Sequence, residues 1–585
     1  MSYYHPKGKE PIPNAKLILL IPRLFNVALS FLVDYILIKF CKLNSNSCRQ
    51  KSAQTEEDGD NLKSDTESNN DHSIRLVTLA SSQVLLVFIS RTHCASLNVV
   101  LFSALLYLVS ESFYRSDEYL PLLQKYKKSK NPVERAQNYK ILKALNYSPV
   151  HNVIWISGIL IIGLFNDPEF FLVYGSVPLF FYMQRSIGHK FVGMKFFHAR
   201  CFTFLALFFT FAVPLILWDS FYFGRVSLKD FRELNLSPDS FVVTPVNYFV
   251  NKGTNFETEN FIWIMLNYLT VFNVLGILGF VSFCAELYGV FFCEWKDKPQ
   301  IDTHWTFLNC SLFVPLVFLL HKNSEKIYSP FDVAPLIFPL VYMHGHKLPL
   351  VSRFNTKLGA GWFISSLLGI LYWGYLSDAG IVSSLLDLNH KILPLRFEDT
   401  QVDIVFSHMT LIPPTFLLAI PLQWKTRMPV ENKTVLRLEN WGKVRIFHAG
   451  ESNLPFYHWE NNVRRLIGNQ NSEDKINYLI LPEKVGRVAE DELSFLQLTV
   501  VKKYWNHIHI SKAKYFLGFT LYEMEVKMKE MKDTNWDEVL SNAGTWRDLF
   551  MLFIDWANLF QVIFDTFTFL VVSMIFVMSY LVFLY

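Results

Sequence analysis

Residues 261–292 read FIWIMLNYLTVFNVLGILGFVSFCAELYGVFF, a run in which Glu286 is the single charged side chain. A helix rises 1.5 Å per residue, so about 20 apolar residues cross the hydrocarbon core of a bilayer. Backbone amides placed in lipid have no partner except one another, which makes the helix the only open-chain solution. The run therefore reads as a spanning helix, and others of its kind lie on either side. They occupy residues 17–40, 76–90, 97–110, 150–165, 170–183, 201–223, 305–320, 335–342, 362–386 and 404–422. Composition agrees: 51% hydrophobic and 16% aromatic against 18% charged residues over 585 positions is more apolar material than one or two water-soluble cores can bury.

The sequence predicts five regions. Residues 1–43 hold a first membrane span; residues 44–75, rich in Ser, Asn, Asp, Glu and Lys, form a disordered polar loop. Residues 76–422 make a multi-pass membrane domain, residues 423–548 a small α+β domain, and residues 549–585 a C-terminal span. Within the polar domain, 435–438 and 478–481 alternate as strands do, and 523–532 reads as a charged helix. Residues 1–15 carry no apolar core of a signal peptide, so insertion is expected to begin at an internal span.

Charge sets the orientation. Lys125, Lys127, Lys128, Lys130, Arg135, Lys140 and Lys143 crowd the loop 114–149, which the positive-inside rule assigns to the cytosol; 346–357 is basic too. Asn432-Lys433-Thr434 is a glycosylation sequon, predicting a luminal polar domain modified at Asn432. The net charge of +4 forms no basic stripe with interleaved aromatics, which argues against nucleic acid as a partner. None of the seven cysteines has the paired spacing of a zinc site, so no metal is expected.

Spaced fragments carry a family resemblance. Residues 90–98, SRTHCASLN, resemble a Thr-x-Thr-Phe-Ser-Asn-Ser-x-Glu stretch. Gly163-Leu164-Phe165-Asn166, followed by Pro168 and Phe170, is similar to Gly-x-Phe-Asn-Arg-x-Thr-Phe. Asp219 to Tyr222 and Thr244-Pro245-Val246-Asn247 resemble a paired Asp-x-x-Tyr and Thr-Pro-x-Asn, and His321-Lys322 sits where a His-Lys-Glu-x-Arg-Phe stretch is expected. Ala379-Gly380-Ile381-Val382 and residues 408–414 resemble Gln-Ala-Gly-Val and His-Thr-x-x-Pro-Pro. These are motifs of the glycosylphosphatidylinositol (GPI) mannosyltransferases of glycosyltransferase family 22, and the likeness is nearest to the branch that adds the fourth mannose.

The resemblance implies a mainly α, polytopic membrane glycosyltransferase of the C type carrying a small C-terminal α+β luminal domain. It implies an endoplasmic reticulum membrane location, dolichyl phosphate mannose as donor substrate, a lipid-linked glycan as acceptor, membrane lipids as surroundings and no bound cofactor. Asp219, Tyr222, Asn247, His321 and Lys322 then become the candidate donor and acceptor residues. The family's catalytic acid, in a Pro-Asp-Glu stretch, has no counterpart in these residues, so the catalytic group is unassigned. Asp117-Glu118-Tyr119 copies the letters within the basic segment and reads as a solvated face. Asp167 stands where the family has Arg, and Asn98 where it has Glu. Two expectations account for this: an upstream segment supplies the acid, or the chain is a catalytically silent relative that binds or assembles. A transporter is disfavoured, because no internal repeat is present.

Overall fold

The computed structural model describes residues 2–3, 12–13, 15–53, 61–90, 94–145, 148, 150–184, 193–222, 226, 241–251, 261–292, 303–320, 330–347, 355–376, 379–395, 401–407, 423–430, 433–440, 444–449, 475–482, 496–504 and 521–528. The chain divides into two units, one drawn from residues 25–367 and one holding residues 368–553. The C-terminal span 549–585, Asn432, His321 and Lys322 lie outside the described residues.

The first unit is helical. Its helices are α1 (Ala15–Ala53, which begins outside the unit), α2 (Asn61–Ala80), α3 (Cys94–Lys128), α4 (Pro132–Leu145), α5 (Val153–Asn166), α6 (Ser176–Gln184) and α7 (Gly193–Tyr222). Then follow α8 (Thr244–Asn251), α9 (Phe261–Phe292), α10 (Thr303–Leu320), α11 (Ile337–His344) and α12 (Asn355–Leu371). Among the described residues, four helical stretches are long and apolar enough to cross a bilayer: Leu20–Leu43, Ala95–Lys128, Lys195–Phe221 and Tyr268–Glu286. In the most apolar window of Ala95–Lys128, 72% of the residues are buried, against 6% in that of Lys195–Phe221. Helix α3 is thus the inner pillar, with Phe102, Leu105, Leu106 and Val109 in the core, and α7 turns Phe202, Phe209 and Trp218 outward as a lipid-facing helix does.

Two segments expected to be loops are helical. The polar insert 44–75 is helical over its first ten residues as the end of α1, and again from Asn61 in α2. The last turns of α2 bury Arg75, Thr78 and Leu79. Once such an end is anchored, extending a helix through polar residues fixes one residue per added bond, which is far cheaper than nucleation. The basic segment 114–149 is the lower part of α3 followed by α4. Asn131 starts α4 by accepting the Val133 N–H on its side chain at 3.1 Å, and Pro132 fills the first helical position, where its missing N–H costs nothing.

Helix α9 is kinked in mid-span. Asn273 has φ 49° and ψ −126°, which breaks the helical path. Just before the kink the fully buried Gln83 donates from Nε2 to the carbonyls of Thr270 and Val271, each at 2.6 Å, and the Tyr268 hydroxyl donates to the Gly276 carbonyl at 3.2 Å. In lipid such a break persists where side chains take up the exposed backbone groups.

Among its described residues the second unit holds α13 (Ala379–Leu395) and, beyond residue 368, the strands β1 (Gln401–Ser407), β2 (Gln423–Val430), β3 (Lys433–Asn440), β4 (Val444–Ala449), β5 (Lys475–Pro482), β6 (Leu496–Tyr504) and β7 (Leu521–Met528). They form one sheet in the order β2-β3-β4-β1-β5-β7-β6, in which β1 pairs parallel to β4 and β5 and the remaining pairs are antiparallel. Two expectations are corrected. Residues 404–407 belong to the middle strand, so the polar domain begins before residue 423 and the membrane domain ends before 422. Val402, Ile404, Val405 and Phe406 are all buried, as in a central parallel strand, and such a continuous apolar run cannot be told from a membrane helix by pattern alone. The expected charged helix at 523–532 is strand β7 over Leu521–Met528, whose Glu-Met-Glu-Val-Lys-Met alternation has the period of a strand, with Met524 fully buried.

Candidate functional site

The end of α5 makes the first piece of the site. Gly163 allows the close approach: a Cβ there would sit 2.1 Å from the Phe170 ring. The chain then leaves the helix in extended conformation at Asp167 (φ −139°, ψ 107°), as the residue before a proline must. Asp167-Pro168-Glu169-Phe170 is a tight turn, with the Phe170 N–H on the Asp167 carbonyl at 2.8 Å. The Asp167 side chain closes it by accepting the Glu169 N–H on Oδ1 at 3.1 Å.

Helix α3 supplies the second piece. Asn98, 2% exposed, donates from Nδ2 to Asp167 Oδ2 at 3.0 Å and accepts on Oδ1 from Asn166 Nδ2 at 2.9 Å. This amide has one donor and one acceptor face, so the chain Asn166, Asn98, Asp167 fixes all three side chains. Helix α8 supplies the third, where the Tyr248 hydroxyl donates to Glu169 Oε1 at 2.7 Å. A narrow cleft is lined by Asn98, Asp167, Glu169 and Asp332 on its polar side and by Tyr174, Leu319 and Phe331 among its apolar walls; about 270 Å³ of empty space, its open mouth included, lies within. The Tyr174 hydroxyl donates to the Asp332 carbonyl, pinning one wall.

Among the residues predicted from sequence, Asp219 accepts the Thr244 hydroxyl and so ties the end of α7 to the start of α8; Ser220 reinforces the tie by accepting the Val242 N–H at 2.8 Å. Asp219 does not line the cleft. Asn247 is exposed, and the residue that reaches the site is its neighbour Tyr248. Tyr222 ends α7. His321 and Lys322 lie outside the described residues, although Leu319, two positions earlier, lines the cleft. Sequence reading missed Glu169 and Tyr248; the signal for Glu169 was the Asn-Asp-Pro-Glu turn, which presents two carboxylates two residues apart. Asp117 and Glu118 are exposed on α3, as expected of a solvated face.

The family-like fragments that meet here come from residues 94–98 and 163–170, at the start of α3 and the end of α5, and Tyr248, next to the fragment 243–247, reaches Glu169. The basic stretch from Lys125 lies at the other end of α3, about 40 Å away at 1.5 Å per residue. A family model of the Alg9-like mannosyltransferases matches residues 10–338, more than half of the chain. The chain belongs to the Alg9-like mannosyltransferase family. GPI mannosyltransferase 4 of Drosophila melanogaster is 28% identical over 438 residues, covering 68% of this chain. The chain spans 58% of that relative's length. The apo crystal structure of ArnT from Cupriavidus metallidurans has a TM-score of 0.40 and 9% identity, covering 86% of this chain and 83% of its own.

Proposed function

We propose that this family member transfers mannose from dolichyl phosphate mannose to a lipid-linked GPI precursor at the luminal face of the endoplasmic reticulum membrane. The observation that carries the reading is that two family-like fragments, 94–98 and 163–170, build one acid-lined cleft together with Tyr248, at the end of the helical unit away from the basic hairpin. Both substrates are anchored in lipid, so a cleft between spans is reached from within the membrane plane. An acceptor hydroxyl attacks the anomeric carbon with inversion, which calls for one proton acceptor and stabilisation of the leaving phosphate. The similarity to GPI mannosyltransferase 4 supports the acceptor class.

A second reading, binding or assembly without transfer, draws on Asp167, an acid where the family resemblance places an arginine. Expression of the full chain in cells lacking the fourth-mannose transferase separates the two. Precursor gaining one hexose by lipid mass spectrometry supports transfer; precursor of unchanged mass in cells that express the chain at the membrane removes it.

A further inference from the structure

The hairpin of α3 and α4 carries a basic surface remote from the cleft. Residues 115–145 hold eight Lys and Arg against the three acids Asp117, Glu118 and Glu134, and Glu134 is engaged by the Ser129 hydroxyl at 2.9 Å. Lys125, Lys127, Lys128, Lys130, Lys140 and Lys143 are all exposed. Helix α4 packs against α3 and buries Asn138 and Leu142, one turn apart, while Val133, Tyr139 and Ile141 stay exposed among the cations. Basic and apolar side chains mixed on an exposed helix are the composition of an element lying at the edge of a bilayer. Aromatic contacts set the register: Arg135 lies over the Tyr126 ring, 5.1 Å from its centroid, and the Tyr126 and Tyr139 rings are 6.0 Å apart. Past α4 the chain returns to the apolar part of α3, where the Asn152 amide donates to the Leu108 carbonyl and to Glu111, each at 3.1 Å. Trp155, three residues on, is 68% exposed, as tryptophans at the lipid–water boundary are. Lys140 and Lys143 follow Tyr139 on the descent toward that boundary, and Lys125 to Lys130 occupy the far tip. Glu111, the acid beside the boundary, is paired with Arg115 at 2.8 Å.

We propose that this hairpin is a docking surface for the anionic phospholipid headgroups of the leaflet in which α3 ends, with Lys140 and Lys143 as the main contacts and the tip lysines as a weaker outer group. Charge complementarity carries the choice of partner: each lysine close to an anionic membrane surface strengthens attachment about fivefold. The effect fades beyond a Debye length, about 8 Å at physiological salt, so the lysines nearest the boundary dominate. The positive-inside rule assigns the same end of α3 to the cytosol, whose leaflet carries such lipids. The inference is independent of the transferase reading, since it needs only the hairpin and the bilayer.

The test uses the purified full chain in phosphatidylcholine nanodiscs doped with spin-labelled phosphatidylserine or, in parallel, spin-labelled phosphatidylcholine. Electron paramagnetic resonance reads the fraction of each probe whose motion the protein restricts. Phosphatidylserine is expected to be restricted about two- to fivefold more than phosphatidylcholine at low salt, and the excess should vanish in about 1 M salt, where the Debye length is about 3 Å. Replacing Lys140→Gln together with Lys143→Gln should remove most of the excess, and Lys127→Gln with Lys128→Gln should remove less. Lys140→Arg with Lys143→Arg keeps the charge and should keep the excess. Equal restriction of the two lipids by the unaltered chain overturns the proposal and leaves the surface to an acidic protein segment. An excess that survives the Gln pair at positions 140 and 143 overturns it too, as does a loss that the Arg pair shares, which marks a packing defect in place of a charge effect.

Discussion

At the scale of single residues, the site depends on how little room is left beneath its turn. Gly163→Ala would drive a methyl group into the Phe170 ring, and the tight turn that carries Asp167 and Glu169 must move with it. We expect a loss of about 1–3 kcal/mol, the usual range for overpacking, seen as a lower unfolding midpoint of the protein in detergent. Asn98→Leu should act differently: it removes the amide that bridges Asn166 and Asp167 and leaves Asp167 Oδ2 without this donor. The expected cost is about 1–3 kcal/mol together with a loss of mannose transfer larger than that of an equally destabilised variant elsewhere. These residues were only half legible in the sequence. Asn98, Asn166 and Asp167 were marked by their place in family-like fragments and Glu169 by the turn that carries it, whereas the bond from Tyr248 to Glu169 joins positions 79 residues apart, which no local pattern contains.

At the scale of elements, the kink in α9 is a spanning helix broken on purpose and mended by a neighbour. Gln83→Leu deprives the carbonyls of Thr270 and Val271 of their donor in a place where water does not reach. A detergent-solubilised variant should unfold at lower temperature by an amount corresponding to about 1–3 kcal/mol, and Gln83→Asn, too short to reach both carbonyls, should recover little of it. An unchanged midpoint would mean that the kink supports itself. Nothing in the local sequence announces this: residues 261–292 look like one straight span, because the kink is written in Gln83, far upstream. The errors in the strands have the same origin. Strand β1 is buried on both faces and loses the alternation that identifies a strand, so its apolar run reads as membrane. Strand β7 keeps its alternation but carries enough charge to pass for a helix surface. The long apolar helices were plain, since length and the absence of charge are properties of a single segment.

At the scale of the whole molecule, the decisive relation is between the basic end of the helical unit and the cleft. Lys125, Lys127, Lys128, Arg135, Lys140 and Lys143 flank or occupy α4, which is exposed along nearly its whole length. Asn98, Glu169 and Tyr248 gather at the other end of α3. If the positive charge holds α4 in the cytosol, every group in the cleft is on the luminal side. Single cysteines placed at Lys140 and at Asn247, both exposed, test this in a chain whose native cysteines have been replaced. In sealed microsomes, whose outer face is cytosolic, a membrane-impermeant maleimide should label the Lys140→Cys variant at once. The Asn247→Cys variant should be labelled only after the vesicles are opened with detergent. Labelling of both in sealed vesicles, or the reverse order, would place the carboxylates on the wrong side of the membrane for a luminal glycan. In the same preparation Asn432→Gln should remove an endoglycosidase-sensitive mass shift, because a sequon is modified only where the transferase for it resides. The maleimide result bears on the cleft end of the helical unit and the glycan on Asn432, so each is read independently of the other.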